Sequence, residues 1–160
     1  MTKECFTREI LAMTDTLYGV SRTYLHQDAD CADAVQESIL KAWVHLASLK
    51  KEAYFRTWVI RILINECKSM CKRKRRMVPV AQFPDTIAPP GPDNGLYAVL
   101  LALDEKYRIP LVLYHCEGYA VEEIARILRL PKGTVLSRLF RGREKLRQDF
   151  AAQEVCLYEG

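Results

Sequence analysis

The sequence predicts an all-α protein: two small helical domains joined by a Pro-rich linker, the second containing a helix-turn-helix. Three observations carry this. Apolar residues recur at threes and fours over residues 5–26, 32–49 and 54–76, the spacing of helices with one buried face. Residues 77–95, MVPVAQFPDTIAPPGPDNG, then hold five prolines, two glycines and no base, a composition that blocks helix and favours extended chain. Beyond residue 117, two short periodic stretches flank a break at Leu130 and Pro131, as two helices across a tight turn would. The predicted division is a domain over 1–76, a linker over 77–95, a domain over 96–150 and a tail over 151–160. At 160 residues the chain is long enough for two small domains.

In the first domain, Phe6, Ile10, Met13, Leu17, Val20 and Tyr24 predict one helix over 5–26. The acidic stretch that follows offers Asp28 or Asp30 as a cap. The next helix, about 32–49, is predicted to bury Val35, Ile39, Ala42, Trp43 and Leu46. Asp33, Gln36, Glu37 and Leu40 form an adjacent arc, and a leucine amid three polar residues marks a protein-contact surface. A solvated face with one stray leucine would carry the same pattern.

The third stretch, YFRTWVIRILINECKSMCKRKRR over 54–76, opens with Tyr54, Phe55 and Trp58 and closes with six bases among nine residues. Phe55, Val59, Ile62 and Leu63 share one helical face, and Thr57, Arg61, Asn65, Lys68 and Lys72 another. Aromatics stack on or wedge between bases, and cations neutralise phosphates. A helix carrying both suits nucleic acid that is opened as well as held. Burial of all three aromatics behind a solvated basic end is the competing reading.

The second domain starts with an apolar segment over 96–103. Asp104 is predicted to cap a helix reaching Glu117, with Gly118 as its stop and Pro110 as a distortion. Val121, Ile124, Ala125 and Leu128 line a short helix, and Val135, Leu139, Gly142 and Leu146 the inner face of the next. Outward on that second helix lie Lys132, Thr134, Ser137, Arg138 and Arg141, residue types that reach base edges and phosphates in a major groove.

Charge and cysteine usage narrow the classes. Net charge is +4, but it is concentrated. Residues 51–76 carry nine bases and two acids, and residues 129–147 seven bases and one acid. Two basic islands suit two contacts with a polyanion. No apolar run approaches the ~20 residues of a membrane span, and without a secretory leader the six cysteines imply a reducing, cytoplasmic setting. Cys67 and Cys71 stand four apart, but no second ligand pair accompanies them, so no metal is expected. The Asp28, Asp30 and Asp33 cluster reads as capping and partner surface. No catalytic residue and no cofactor is expected.

Three segments in order, DAVQESILKAW (33–43), YFRTWVIRILINECKS (54–69) and EGYAVEEIARILRLPKGTVLSRLFRGREKLR (117–147), resemble bacterial RNA polymerase sigma factors of the extracytoplasmic-function (ECF) type in the sigma-70 family. The resemblance implies a subunit that binds core polymerase and promoter DNA and performs no chemistry itself. It implies that Asp33, Gln36, Glu37 and Leu40 dock on the β′ clamp coiled coil. It implies that Phe55, Trp58, Arg61 and Asn65 meet the melted −10 element, where Tyr54 belongs to a base-capturing loop; the charge of the same helix adds Lys68, Lys72 and Arg73 as cations. It implies that Thr134, Ser137, Arg138 and Arg141 face the −35 element, to which the outward face of the helix adds Lys132, and that the β flap is a further polymerase contact. The 77–95 stretch matches the family's linker, and an anti-sigma factor is a candidate partner that the sequence leaves open. The chain departs from the family pattern at Ala120 (usually a Ser or Thr cap), Arg129 (a turn Gly), Leu136 (a base) and Gly142 (an Ala). Gly142 should cost roughly 1 kcal/mol of helix propensity. The competing function, a helix-turn-helix regulator that never meets core polymerase, leaves residues 33–76 unexplained.

Overall fold

The computed structural model describes residues 1–77 and 95–158, with side chains of 95–97 and 152–158 left aside. Among the described residues the secondary structure is helical throughout. The linker reading, over 77–95, falls mostly outside them; Met77 ends one helix and Gly95 begins the next. The chain divides into two compact units.

The first unit is built on α1 (Lys3–Ala12), α2 (Thr14–Arg22), α3 (Asp28–Val44) and α4 (Phe55–Met77). The single helix expected over 5–26 is two. It breaks at Met13, which is itself in the core at 3% exposure. The Thr14 hydroxyl donates to the Ile10 carbonyl at 3.1 Å, a back-bond of the kind that bends helices. Thr2 caps α1, its hydroxyl accepting from the Cys5 N–H at 3.2 Å. Helix α3 starts earlier than expected. Asp28 and Asp30 lie inside its first turn, and the Gln27 cap makes no side-chain bond. Carboxylates there still favour the helix, because they face the positive end of its dipole.

Helix α3 packs most extensively on α4, and α2 packs on both. Leu17, Val20, Ala34, Val35, Phe55, Val59, Ile60, Leu63 and Cys67 form the dry centre. Trp43 departs from its expected burial: it is 44% exposed, its ring meeting Phe6 edge-on at 5.1 Å. Phe6 in turn meets Phe55 at 5.5 Å, an aromatic arrangement that adds about 0.5–1.5 kcal/mol per pair beyond burial. Ion pairs tie α4 to its neighbours: Arg56 to Glu9 of α1 at 3.0 Å, and Lys74 to Asp30 of α3.

The second unit carries α5 (Gly95–Ala102), α6 (Glu105–Leu111), most of α7 (Val121–Leu128) and α8 (Lys132–Tyr158). Pro110 lies inside α6, and the helix then widens into a π turn over Val112–Cys116. A proline removes one helical donor and crowds the preceding turn, so a local change of pitch is its expected consequence. The Arg143 Nε–H of α8 donates to His115 Nε2 at 3.1 Å and pins that turn. Gly118 follows at φ 73°, the left-handed conformation glycine adopts without penalty. Helix α8 runs well beyond the expected boundary at 150, to Tyr158.

Val135 and Leu139 are buried on the inner face of α8, which packs on α6 and α5. Gly142 is there for room, not as a weak substitute for alanine. A Cβ would stand 2.8 Å from Leu111 Cδ1 and 3.3 Å from Tyr107 Cβ, and both neighbours are buried. Close approach of α6 to α8 thus offsets the propensity cost. Ala120 does lack a side-chain cap, and the Glu123 carboxylate compensates in part, accepting the Ala120 N–H at 2.9 Å.

Arg129 stands at φ 53°, ψ 47° in the turn between α7 and α8. A left-handed non-glycine residue costs roughly 1–2 kcal/mol. Arg129→Gly is therefore expected to raise stability by about 1 kcal/mol, read as a higher midpoint in thermal unfolding. An unchanged or lower midpoint would show that the arginine side chain compensates for the strain.

Candidate functional site

Three clusters of the predicted site residues lie on these scaffolds. The first is a groove of about 950 Å³ between α3 and α4. All four residues of the predicted docking arc line it: Asp33, Gln36, Glu37 and Leu40. Leu40 is 56% exposed, and on its other side it borders an apolar pocket with Phe6, Ile39 and Trp43. The facing wall is basic, with Lys72, Arg73 and Arg76 of α4. Helix periodicity explains the gathering, because 33, 36, 37 and 40 fall on one face.

Glu66 sits inside this groove, and nothing in the sequence analysis singled it out. It is only 6% exposed, on a helix otherwise read as basic. A buried carboxylate requires partners, and among the described residues it pairs with Lys41 of α3 and with Arg73 Nη2 at 3.2 Å. Lys41 also faces Glu37 at 3.6 Å. Its ammonium is held above the ordinary lysine range, chiefly by the hydrogen bond to Glu66 and against the effect of burial. The available signal was a lone acid at position 66 among bases, with Arg73 two helical turns onward.

The second cluster is the outer stripe of α4. Asn65, Lys68 and Lys72 are exposed, and Trp58 and Arg61 half-buried. Trp58 and Asn65 line one pocket of about 320 Å³ with His45, Ser48, Ile62 and Ser69. Tyr54 is 40% exposed in the short turn Glu52–Tyr54, just before the helix. Phe55 is the correction. It is 1% exposed, packed on Phe6 and tilted against Trp58 at 6.3 Å, so it is a core residue with no face for a ligand. Thr57, expected on the polar stripe, is likewise buried, its hydroxyl bonded to the Tyr54 carbonyl at 3.0 Å.

The third cluster is on α8. Thr134, Ser137, Arg138 and Arg141 line a groove of about 440 Å³ together with Lys106 and Tyr107 of α6, which sequence reading missed. Lys132 is engaged at 2.5 Å by Glu122 of α7. Because both partners of that pair are more than half exposed, the pair is weak and exchangeable. The two cysteines considered for metal are a poor fit. Burial pushes the Cys67 thiol up to about 12. Among the described residues no group of three ligating side chains forms.

Comparison with known proteins bears on what these clusters serve. Residues 10–77 match the family described as Sigma-70 region 2, and residues 94–146 that described as Sigma-70, region 4. The ECF RNA polymerase sigma-E factor of Escherichia coli (strain K12) is 30% identical over 138 residues, covering 73% of this chain and 72% of that protein. This chain belongs to the sigma-70 family, as an ECF sigma factor. The RNA polymerase sigma-H factor of Pseudomonas aeruginosa is 26% identical over 164 residues, covering 90% of this chain and 85% of its own. Among solved structures, the sigma factor RpoE of Bartonella quintana, in complex with the anti-sigma factor NepR, superposes with a TM-score of 0.79 at 24% identity. It covers 91% of this chain and 96% of that one. CnrH in complex with the cytosolic domain of CnrY gives 0.74 at 25% identity, over 94% and 90% of the two chains.

As a sigma factor, the protein binds core RNA polymerase and directs promoter recognition in transcription initiation. A regulator that never meets the polymerase would leave the match over 10–77 without an explanation. No described helix is long and apolar enough to cross a membrane.

Proposed function

We propose that the work is divided along the chain. Residues 1–76 carry the core polymerase and −10 contacts, 77–95 connect, and 96–150 carry the −35 contacts. In this reading Asp33, Gln36, Glu37 and Leu40 dock on the β′ clamp coiled coil. Exposed acids around one half-exposed leucine suit a basic helical partner with an apolar knob. Trp58, Arg61 and Asn65 engage melted −10 bases, Tyr54 borders the captured base, and Lys68, Lys72 and Arg73 neutralise phosphate. Phe55 acts only by holding Trp58 in place.

Helices α7 and α8 then form a helix-turn-helix, with Thr134, Ser137, Arg138 and Arg141 reading the −35 major groove, Lys132 on phosphate, and the β flap nearby. The protein works in the cytoplasm with no catalytic residues and no cofactor; the polymerase supplies the chemistry. An anti-sigma factor regulates it by occupying the polymerase-facing surface.

The observation that carries this reading is the α3–α4 groove, which gathers the whole docking arc opposite the basic end of the DNA helix. Cosedimentation with purified core polymerase tests it. The protein is expected in the core fraction at stoichiometric amounts. Asp33→Lys should leave it in the supernatant, and retention of that variant in the core fraction would contradict the docking assignment.

A further inference from the structure

We propose that Leu136 and Phe140 form an apolar step on α8 that reads the 5-methyl groups of thymines in the −35 element. This rests on the reading that α8 lies in the major groove with Ser137, Arg138 and Arg141. Leu136 is 48% exposed and Phe140 65%, the latter more than any other phenylalanine, tyrosine or tryptophan side chain among the described residues. Four residues apart, the two stand one above the other on the helix.

The core does not need them. The inner row of α8 is Val135 and Leu139, at 0% and 1% exposure. Leu136 and Phe140 each follow one residue later, about 100° further round the helix. Ser137 stands three residues before Phe140 and four before Arg141. The apolar pair and the polar readers therefore share one continuous outer surface.

Charge selects the occupant. Residues 129–147 carry seven basic side chains and one acid, so the surroundings of the pair suit a polyanion. A partner protein would have to bring an acidic surface. Duplex DNA brings phosphate on both sides of its major groove and, on the groove floor, one apolar group, the thymine methyl. A leucine cannot donate to the acceptor atoms of guanine or adenine, and covering those atoms leaves them unpaired. The step thus favours thymine and disfavours purine edges at the positions it covers. The family pattern has a basic residue at 136, so this preference belongs to this chain.

The test uses holoenzyme and a labelled duplex that carries the −35 element selected by the wild-type protein from a random library. That element should contain thymine. Replacing one thymine by uracil removes the methyl alone and keeps every hydrogen-bonding group. Fluorescence anisotropy should show about fourfold weaker binding for each methyl lost under the step, the contribution of one buried methyl group. Uracil in the flanking pairs should change nothing. Leu136→Ala with Phe140→Ala should bind the thymine duplex more weakly and no longer distinguish it from the uracil duplex. Arg138→Ala should lose affinity and keep that distinction. Both apolar side chains are exposed, so the double variant should melt as the wild type does, and the uracil arm needs no variant at all.

Equal affinity of the wild-type protein for thymine and uracil duplexes, a selected element without thymine, or a uracil penalty that survives the double variant overturns the proposal. If affinities are equal while Arg138→Ala still loses more on the selected duplex than on a scrambled one, methyl reading alone has failed. If Arg138→Ala loses both alike, the placement of α8 in the major groove has failed with it. A double variant that loses core polymerase, with thymine and uracil bound alike by the wild type, makes the pair a protein contact instead.

Discussion

Glu37→Lys is expected to abolish binding to core RNA polymerase while leaving the fold intact. Glu37 lies at the centre of the docking arc, in the same groove as Asp33, Gln36 and Leu40. Among the described residues it pairs with Lys41, at 3.6 Å and four residues away, and both side chains are nearly half exposed. Such an exposed pair contributes about 0.3–0.5 kcal/mol to stability, so the melting midpoint should shift little. At the interface the arithmetic is different. Reversal places a cation where the partner presents one, and truncating or reversing one side of a buried charge pair costs roughly 2–5 kcal/mol or more. That is about a thirtyfold to several-thousandfold loss of affinity. Titration of labelled protein with core polymerase, beside a thermal melt, separates the two. Undiminished affinity in a folded variant would remove Glu37 from the interface.

Arg138→Ala should cost affinity selectively. Arg138 projects from α8 into the groove shared with Thr134, Ser137 and Arg141. An arginine paired with guanine contributes about 1–3 kcal/mol of discrimination against a wrong base. The loss should therefore fall in that range on a duplex carrying the −35 element selected by the wild-type protein, and be much smaller on a scrambled one. Lys132→Ala, by contrast, should weaken both duplexes alike, since a phosphate contact carries no sequence information. Equal losses for Arg138→Ala on both duplexes would make it a phosphate contact instead.

Much of this was legible in the sequence because the relevant signals are periodic. The arc of Asp33, Gln36, Glu37 and Leu40, and the inner row Val135, Leu139 and Gly142 of α8, are read directly from 3.6-residue spacing. What spacing does not reveal is which neighbour a face meets. The family resemblance put Phe55 with Trp58 on the −10 element although the spacing set Phe55 on the apolar face, and Phe6 arrives from α1 to bury it. Gly142 looked like a propensity cost, because the approach of Leu111 and Tyr107 is a tertiary fact. The break at Met13 depended on one hydroxyl bond within a continuous apolar pattern. Glu66 was hidden for a related reason: a single acid among bases reads as surface variation until α3 delivers Lys41 to it.

This chain is expected to give core polymerase its promoter and to open it through the exposed stripe of α4. Run-off transcription with purified core polymerase, on a duplex promoter selected by the wild-type protein and on the same template with its −10 region pre-melted, tests it most directly. The wild-type protein should yield a discrete transcript from both. Trp58→Ala with Asn65→Ala should fail on the duplex and recover on the bubble, because those side chains act on bases only once unstacked. Arg138→Ala should be impaired on both. Transcripts that do not depend on the protein, or a Trp58 and Asn65 variant that the bubble does not rescue, would contradict the account.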